Sequence, residues 1–154
     1  MAKEIERKYL VRGDSWRGLA EGSVYRQGYI ATEEKATVRI RIVGHKSYLT
    51  IKGPNIKYSR LEFEYPIPVQ DAQEILETLC QRPFIEKTRY KIESGGFIWE
   101  IDEFDGVNKG LILAEVELTD ENQQIELPNW IGQEVSDDSR YFNSNLVKYP
   151  FSQW

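Results

Sequence analysis

The stretch EIERKYLV, residues 4–11, carries the pattern on which the fold of this chain depends. In a β-strand, its alternation would place Glu4, Glu6 and Lys8 on one face. Strands normally turn charged side chains to water and apolar side chains to a core. Taken alone, the stretch is therefore typical of a half-buried strand with a solvated face, and only a recurrence of the pattern would indicate something else.

The pattern recurs in later stretches of the chain. They are TVRIRIV (37–43), SYLTIKG (47–53), SRLEFEY (59–65), EKTRYKI (86–92), FIWEIDE (97–103) and LAEVELT (113–119). The charges also separate by sign, because Arg39 and Arg41 share one strand, whereas Glu115 and Glu117 share another. A face that only keeps a protein soluble usually mixes both signs, so these doublets favour a different role.

Two arrangements are compatible with such faces: a solvated outer surface, or the lining of a closed barrel whose apolar face points outward. A dry interior is excluded, since each buried ion costs several kcal/mol and the net stability of a protein is only about 5–15 kcal/mol. A charged interior must therefore be a water-filled tunnel with ion pairs and room for a charged ligand. An eight-stranded barrel has space for one small ligand at most.

Composition narrows the classes of protein to which the chain can belong. Its 154 residues are enough for one domain, and 40% hydrophobic with 29% charged residues is typical of a globular protein. The net charge of −5 argues against a nucleic-acid-binding surface. Cys80 and His45 are the single cysteine and histidine, which excludes an internal disulfide and a Cys/His zinc site. No stretch approaches the about 18 apolar residues of a membrane span, so we expect a cytoplasmic protein that does not cross a membrane.

Strands dominate the secondary structure that we predict for one domain, residues 1–154. Eight strands are expected at residues 3–11, 23–31, 36–43, 46–53, 59–67, 85–94, 97–104 and 111–119. Tight hairpins are expected at VGHK (43–46) and SGG (94–96). Eight strands with few helices indicate a mainly β (α+β) fold, either an antiparallel barrel or a sandwich.

Two helices are predicted to pack outside these strands. The first lies within residues 68–83, where one apolar stripe is formed by Ala72, Ile75, Leu76, Leu79 and Cys80. A shorter helix is expected near residues 137–147, with Asp137, Asp138 or Ser139 as its N-cap.

The chemistry of a charged interior would select its ligand. Arginine and lysine bind phosphate oxygens, and clustered carboxylates without histidine or cysteine suit a hard cation such as Mg²⁺ or Mn²⁺. Together they indicate a slender, highly anionic phosphate chain that binds with metal.

At this point the sequence resembles a known family. EIERKYLV resembles the ExExK signature of the CYTH domain, also called the triphosphate tunnel metalloenzymes. The resemblance continues in order through VRIR, LTIKG, EFEYPI, IEKTRY, WEIDEFDG, LAEVEL and SRYFNSNL, and so covers nearly the whole chain. It implies a closed eight-stranded antiparallel barrel that forms a tunnel, with divalent-metal-dependent chemistry on triphosphates. The family includes inorganic tripolyphosphatases, thiamine triphosphatases, a class of adenylate cyclases and RNA triphosphatases.

The resemblance also implies roles for individual residues. The acids that match its metal site are Glu4, Glu6, Glu62, Glu64, Glu115 and Glu117, with Asp102 as a further candidate. The bases that match its triphosphate-binding groups are Lys8, Arg39, Arg41, Lys52, Lys87 and Arg89. The residues closest to the chemistry would be Glu4, Glu6 and Lys8. Lys91 and Glu100 fit the alternation without an assigned role.

The most favoured activity is hydrolysis of inorganic tripolyphosphate, since the compact length and the QGYI and YFNSNL segments look like short bacterial members of the family. Alternatives are an adenylate cyclase, a thiamine or nucleoside triphosphatase, and a polyphosphate- or nucleotide-binding module without turnover. Exposed apolar residues on the outer face would permit a homodimer. Tyr25, Gln27 and Tyr29 share a face to which we assign no role, and Lys57 and Arg60 are expected on the solvated surface.

Overall fold

A computed structural model describes residues 3–33 and 35–154. Its strands are Lys3–Val11 (β1), Gly22–Ile30 (β2), Thr37–Val43 (β3), Lys46–Lys52 (β4), Ser59–Pro66 (β5), Ile85–Ser94 (β6), Phe97–Phe104 (β7), Ile112–Glu117 (β8) and Ile131–Glu134 (β9). Its α-helices are Val69–Thr78 (α1) and Asn143–Lys148 (α2), and single 3₁₀ turns lie at Gly106–Asn108, Ser139–Tyr141 and Phe151–Gln153.

The strands form one closed antiparallel barrel. The order around it is β5-β4-β3-β2-β6-β7-β8-β1, and β1 closes it by pairing with β5. The closing seam is short, because its register joins only Lys3 to Leu61, Glu4 to Arg60 and Ile5 to Ser59. The short strand β9 pairs with Tyr9 and Val11 near the end of β1, on the edge of β1 opposite β8. The barrel predicted from the resemblance is therefore confirmed, with one extra strand that we did not predict.

Alternation along the strands sends the charged side chains to the interior of the barrel. Lys8, Lys87 and Asp102 are only 6%, 1% and 1% exposed, although their types usually lie at a surface. The opposite, outer faces carry the apolar side chains. The interpretation of these strands as the lining of a tunnel is confirmed, and the solvated-face alternative is wrong.

Helix α1 and two long connections cover much of the outer apolar face. Ala72 and Leu76 of α1 pack against Ile40 of β3, with Ile75 and Cys80 at the edge of the same cluster. On the other side of the barrel, a second cluster contains the tryptophans of the loop after β1, of β7 and of the segment before β9. Its largest side chains are Trp16, Trp99 and Trp130. These clusters provide the core that the charged interior cannot.

One part of the outer face is left uncovered in the described structure. On β5, Leu61, Phe63 and Tyr65 are 53%, 41% and 52% exposed. This surface is compatible with the homodimer predicted from the sequence, which stays a prediction.

The interior changes from charged to apolar toward one end of the barrel. There Tyr29, Ile85, Phe104 and Leu113 meet Leu146 of α2 in a single buried cluster. Because α2 seals this cluster from outside, the charged part of the interior is bounded at this end by the carboxyl-terminal segment.

The predicted strands agree with the structure within one or two residues, and the helices differ more. Helix α1 ends at Thr78, so Leu79, which was placed in its apolar stripe, is 63% exposed. The second predicted helix is divided into a 3₁₀ turn capped by Asp138 and the helix α2, which begins after Phe142. None of the helices in the described part of the chain has the length and apolar character needed to cross a lipid bilayer.

Candidate active site

A cavity of about 190 Å³ runs through the charged part of the barrel interior. The predicted site residues that line it are Glu4, Glu6, Lys8, Arg39, Arg41, Lys52, Glu62, Glu64, Lys87, Arg89, Glu115 and Glu117. The fold therefore gathers nearly all of the predicted site residues around one space. A wider cavity adjoins it and shares Arg41, Glu64, Arg89 and Glu100 with it, so the tunnel opens at this end past Tyr48 and Lys91.

The acidic wall of the tunnel is formed by Glu4 and Glu6 of β1, Glu62 of β5, and Glu115 and Glu117 of β8. Glu6 lies directly opposite Glu117 in the β1–β8 register, and like charges in such a position destabilise a sheet. Burial, with the negative charges of Glu115 and Glu4, raises the pKa of Glu6 to about 8. Burial and the carboxylates of Glu4 and Glu62 also raise the pKa of Glu117. Within the described residues neither Glu6 nor Glu117 has a basic group within 4.0 Å, so positive charge is missing from the centre of this wall.

The basic wall is formed by Arg39 and Arg41 of β3 and by Lys87 and Arg89 of β6. Burial, with the positive charges of Arg39 and Arg89, lowers the pKa of Arg41 to about 10. Burial also lowers the pKa of Lys87 to about 7, since it and the charges of Arg89 and Arg41 outweigh the attraction of Asp102. Arg39 contacts Glu64, and Lys87 and Arg89 contact Asp102. In the described part of the chain Arg41 has no carboxylate within 4.0 Å, so negative charge is missing from this wall at Arg41.

Ion pairs neutralise the other three carboxylates of the acidic wall. Lys52 Nζ is 3.1 Å from both Glu4 and Glu62, and Lys8 Nζ is 3.2 Å from Glu115. Burial opposes ionisation of Glu115, but the positive charges of Lys8 and Arg89 outweigh it and hold the pKa well below its usual range. The balance of opposite effects is the same at Glu4, whose pKa is lowered. Neutralisation is thus local and leaves the centre of each wall unbalanced.

Asp102 lies behind the basic wall. Arg89 Nε and Nη2 donate to its two carboxylate oxygens at 2.7 and 2.8 Å, and Lys87 Nζ is 2.8 Å away. With 1% of its surface exposed and both oxygens occupied, Asp102 orients two bases in this structure. Its role as a metal ligand stays a prediction, and its position behind the bases gives that role less support than the acidic wall receives.

The acidic wall has the donor chemistry that a hard divalent cation requires. It offers carboxylate oxygens from neighbouring strands, and in the described part of the chain two of its members, Glu6 and Glu117, have no basic group within 4.0 Å. Within residues 3–33 and 35–154, no three carboxylate, imidazole or thiol side chains converge into a preformed metal cage. Mg²⁺ characteristically binds through one or two carboxylates together with substrate phosphates and water, so the wall fits a cation that is completed by its ligand.

Several residues that line the tunnel were given no role in the site from the sequence. They are Tyr29, Thr37, Asn55, Arg60, Glu100, Phe142, Asn143 and Ser144. Arg60, which we placed on the solvated surface, points inward and its Nε is 3.4 Å from Glu4; this expectation was wrong. The signal was present, because Arg60 shares a strand face with Glu62 and Glu64. Nothing in the periodicity of the chain indicated the segment 142–144.

The carboxyl-terminal segment contacts two of the bases. Lys8 Nζ donates to the carbonyl oxygen of Tyr141 at 3.2 Å, and Lys87 Nζ donates to Asn143 Oδ1 at 2.9 Å. The start of α2 is thus part of the site as well as the cover of the barrel.

Comparison with known proteins gives a consistent picture. The CYTH domain family matches residues 2–147. A protein of Acetivibrio thermocellus named inorganic triphosphatase is 54% identical over 154 residues, covering 100% of this chain and 99% of that protein. An inorganic triphosphatase of Nitrosomonas europaea is 35% identical over 152 residues, covering 94% and 96%. A solved structure of an inorganic triphosphatase superimposes with a TM-score of 0.68 at 34% identity, covering 93% of this chain and 96% of that one.

Proposed function

Because the chain belongs to the CYTH domain family, we propose that it is an enzyme that hydrolyses inorganic triphosphate with a divalent metal ion. The observation that carries this proposal is the pair of unbalanced walls in one narrow tunnel. A phosphate chain supplies the negative charge that the basic wall lacks, and a cation supplies the positive charge that the acidic wall lacks. The two relatives named inorganic triphosphatase support this substrate.

The basic wall would hold the phosphate chain along the tunnel. Arg39 and Arg41 approach it from β3, and Lys87 and Arg89 approach it from β6. Charge-assisted hydrogen bonds from such groups to phosphate oxygens are about twice as strong as neutral ones. Phosphoryl transfer depends chiefly on positioning and on neutralising the charge of the transferred group, and these are the contributions that fixed, buried bases make.

The acidic wall would hold the metal, with Glu4, Glu6 and Glu117 as its main ligands and Glu62, Glu64 and Glu115 beside them. When bound, a cation such as Mg²⁺ or Mn²⁺ supplies a Lewis acid and lowers the pKa of bound water. Lys8 lies where the two walls meet, paired with Glu115. We assign it a hydrogen bond to a phosphate oxygen, which would stabilise the charge that develops during cleavage.

The test is phosphate release from tripolyphosphate, ATP and thiamine triphosphate, each with Mg²⁺, with Mn²⁺ and with EDTA. We expect tripolyphosphate to be hydrolysed fastest, with either metal required and EDTA abolishing turnover. If ATP or thiamine triphosphate were hydrolysed faster than tripolyphosphate, the proposed substrate would be wrong but the proposed type of reaction would still hold. An absence of metal-dependent turnover with all three would overturn the proposed activity.

A further inference from the structure

Strand β2 lies between the two strands that carry the basic wall, and its inward side chains are uncharged. It pairs with β3 on one side and with β6 on the other. Tyr25 and Gln27 project from its inner face between the two sets of bases, and they are 7% and 0% exposed. Neither has a place in the function proposed above, yet both contact the basic wall directly.

The ring of Tyr25 is shared by two arginines. The guanidinium carbon of Arg41 lies 4.9 Å from its centroid, and that of Arg89 also lies 4.9 Å from it. The face of an aromatic ring attracts a cation within about 6 Å. A ring in contact with two like charges attracts both of them, which opposes the effect of their mutual repulsion.

Gln27 also holds Arg41, through a hydrogen bond. Its Oε1 accepts a hydrogen bond from Arg41 Nε at 2.8 Å, and its Nε2 donates to the Tyr29 hydroxyl at 3.0 Å and to Asn143 Oδ1 at 3.3 Å. With both ends of the amide occupied, its orientation is determined.

Arg41 needs such support more than its neighbours do. In the described part of the chain no carboxylate lies within 4.0 Å of its guanidinium, whereas Arg89 is held by Asp102 and Arg39 contacts Glu64. A half-buried guanidinium without a carboxylate partner would be free to turn away from the tunnel unless neutral groups hold it.

We propose that Tyr25 and Gln27 are positioning residues that hold Arg41 and Arg89 as a preformed pair for the phosphate chain. This inference rests on the proposed function. Pre-organisation of this kind contributes to affinity because the side chains need not be ordered when the ligand binds. The uncharged inner face of β2 then contributes to anion binding by positioning these two arginines.

Calorimetric titration with tripolyphosphate in EDTA tests the inference without turnover. Tyr25→Leu removes the ring face and should weaken binding about tenfold, in line with two cation–π contacts. Tyr25→Phe keeps the ring and should restore the affinity to within about twofold of the wild type. Gln27→Met, which keeps the length but loses the acceptor, should weaken binding about tenfold as well.

The matched control is Tyr90→Leu, on the outer face of β6. Tyr90 stacks edge-on against Trp16 with ring centroids 5.3 Å apart, so its loss should lower the melting temperature and leave tripolyphosphate affinity unchanged. In steady-state kinetics with Mg²⁺, we expect Tyr25→Leu to raise KM about tenfold with kcat changed by less than about threefold, since the defect lies in ground-state binding.

Wild-type affinity in folded Tyr25→Leu and Gln27→Met would overturn this inference and leave the proposed function intact. If Tyr25→Leu does not fold, Gln27→Met decides alone, and wild-type affinity in that variant overturns the inference. A wild-type protein that does not bind tripolyphosphate would instead overturn the proposed function, and the inference with it.

Discussion

The acidic wall and the basic wall belong to one barrel, yet the tunnel shifts the pKa values of their central groups in opposite directions. On the acidic wall, the pKa of Glu6 rises from an ordinary 4.5 to about 8, toward the neutral acid. On the basic wall, the pKa of Lys87 falls from 10.5 to about 7, toward the neutral amine. Glu6 and Lys87 are thus both shifted toward their neutral forms, whereas at Arg89 the effect of burial is outweighed by Asp102 and the pKa is raised.

The contrast with the paired carboxylates of the same acidic wall shows why. Glu4 and Glu115 face lysines, and their pKa values are lowered, so burial alone does not decide the direction. The walls remain unbalanced because like charges are placed side by side along each of them. A ligand that carries both signs, such as a phosphate chain with a divalent cation, balances both walls at once.

The largest expected effect comes from the acidic wall, with Glu6→Gln. Loss of a metal ligand removes several kcal/mol of transition-state stabilisation, and at about 1.4 kcal/mol per factor of ten this corresponds to a loss of kcat on the order of 100-fold or more. Phosphate release with saturating Mg²⁺ measures it. Glu103→Gln, on the outer face of β7 beside Arg17, is the control and should keep wild-type kcat.

The same variant should stabilise the metal-free protein. A carboxyl whose pKa is raised on folding destabilises the fold as pH rises from its unfolded value of 4.5 through about 8. Glu6→Gln removes this penalty, so its melting temperature in EDTA should exceed that of the wild type above pH 8 and match it near pH 4. If the variant and the wild type had equal melting temperatures at both pH values, ionisation of Glu6 would not destabilise the folded protein.

On the basic wall, Arg41→Ala should weaken tripolyphosphate binding in EDTA by about 10- to 100-fold. This range corresponds to about 1.5–3 kcal/mol for a hydrogen bond to a charged group. The control is Arg26→Ala, also on the barrel but on its outer face, where Arg26 pairs with Glu77. If Arg41→Ala bound with wild-type affinity, the basic wall would not be the phosphate site.

The residues of both walls could be predicted from the sequence. Side chains alternate between the two faces of a strand, so every second residue shares a face. Glu115 and Glu117, or Arg39 and Arg41, could be placed together without any knowledge of tertiary structure. Arg60 obeyed the same rule and was misjudged because it stands beside a loop, where a solvated position is the usual outcome.

Other parts of the site depend on contacts that no periodicity records. Asn143 and Lys87 are 56 positions apart in the chain. They form a hydrogen bond because the carboxyl-terminal segment folds over the end of the barrel. The strand Ile131–Glu134 has four residues, one of them glycine, too few for an alternation to be recognised. The uncharged residues of β2 carried no signal, since their importance comes from the charged strands on either side.

Asp102→Asn tests whether this residue belongs to the acidic wall or supports the basic one. If it supports Lys87 and Arg89, the variant should lose about 3–5 kcal/mol of stability, because two buried cations lose their partner. Its affinity for tripolyphosphate in EDTA should fall by about tenfold, since charge-assisted hydrogen bonds worth about 1.5 kcal/mol no longer orient the bases.

The Mg²⁺ concentration for half-maximal turnover separates the two roles of Asp102. A supporting residue should leave it unchanged within about twofold, whereas loss of a metal ligand typically costs more than the 10–100-fold in metal affinity that outer partners cost. A large increase in this concentration, with unchanged tripolyphosphate binding in EDTA, would instead identify Asp102 as a metal ligand.

The smallest effect concerns the pH dependence of the basic wall at Lys87. Its amine is protonated below a pKa of about 7 in the free protein, and a bound phosphate favours the protonated form and raises that pKa. Tripolyphosphate affinity in EDTA should therefore decrease as pH rises above 7, by about three- to tenfold between pH 6 and pH 9.

Lys87→Met removes this titration, and the protonation of tripolyphosphate affects both proteins equally. The ratio of wild-type to variant affinity should thus fall with pH. A constant ratio would mean that Asp102 keeps Lys87 charged throughout, so that the basic wall is balanced at this position before any ligand arrives.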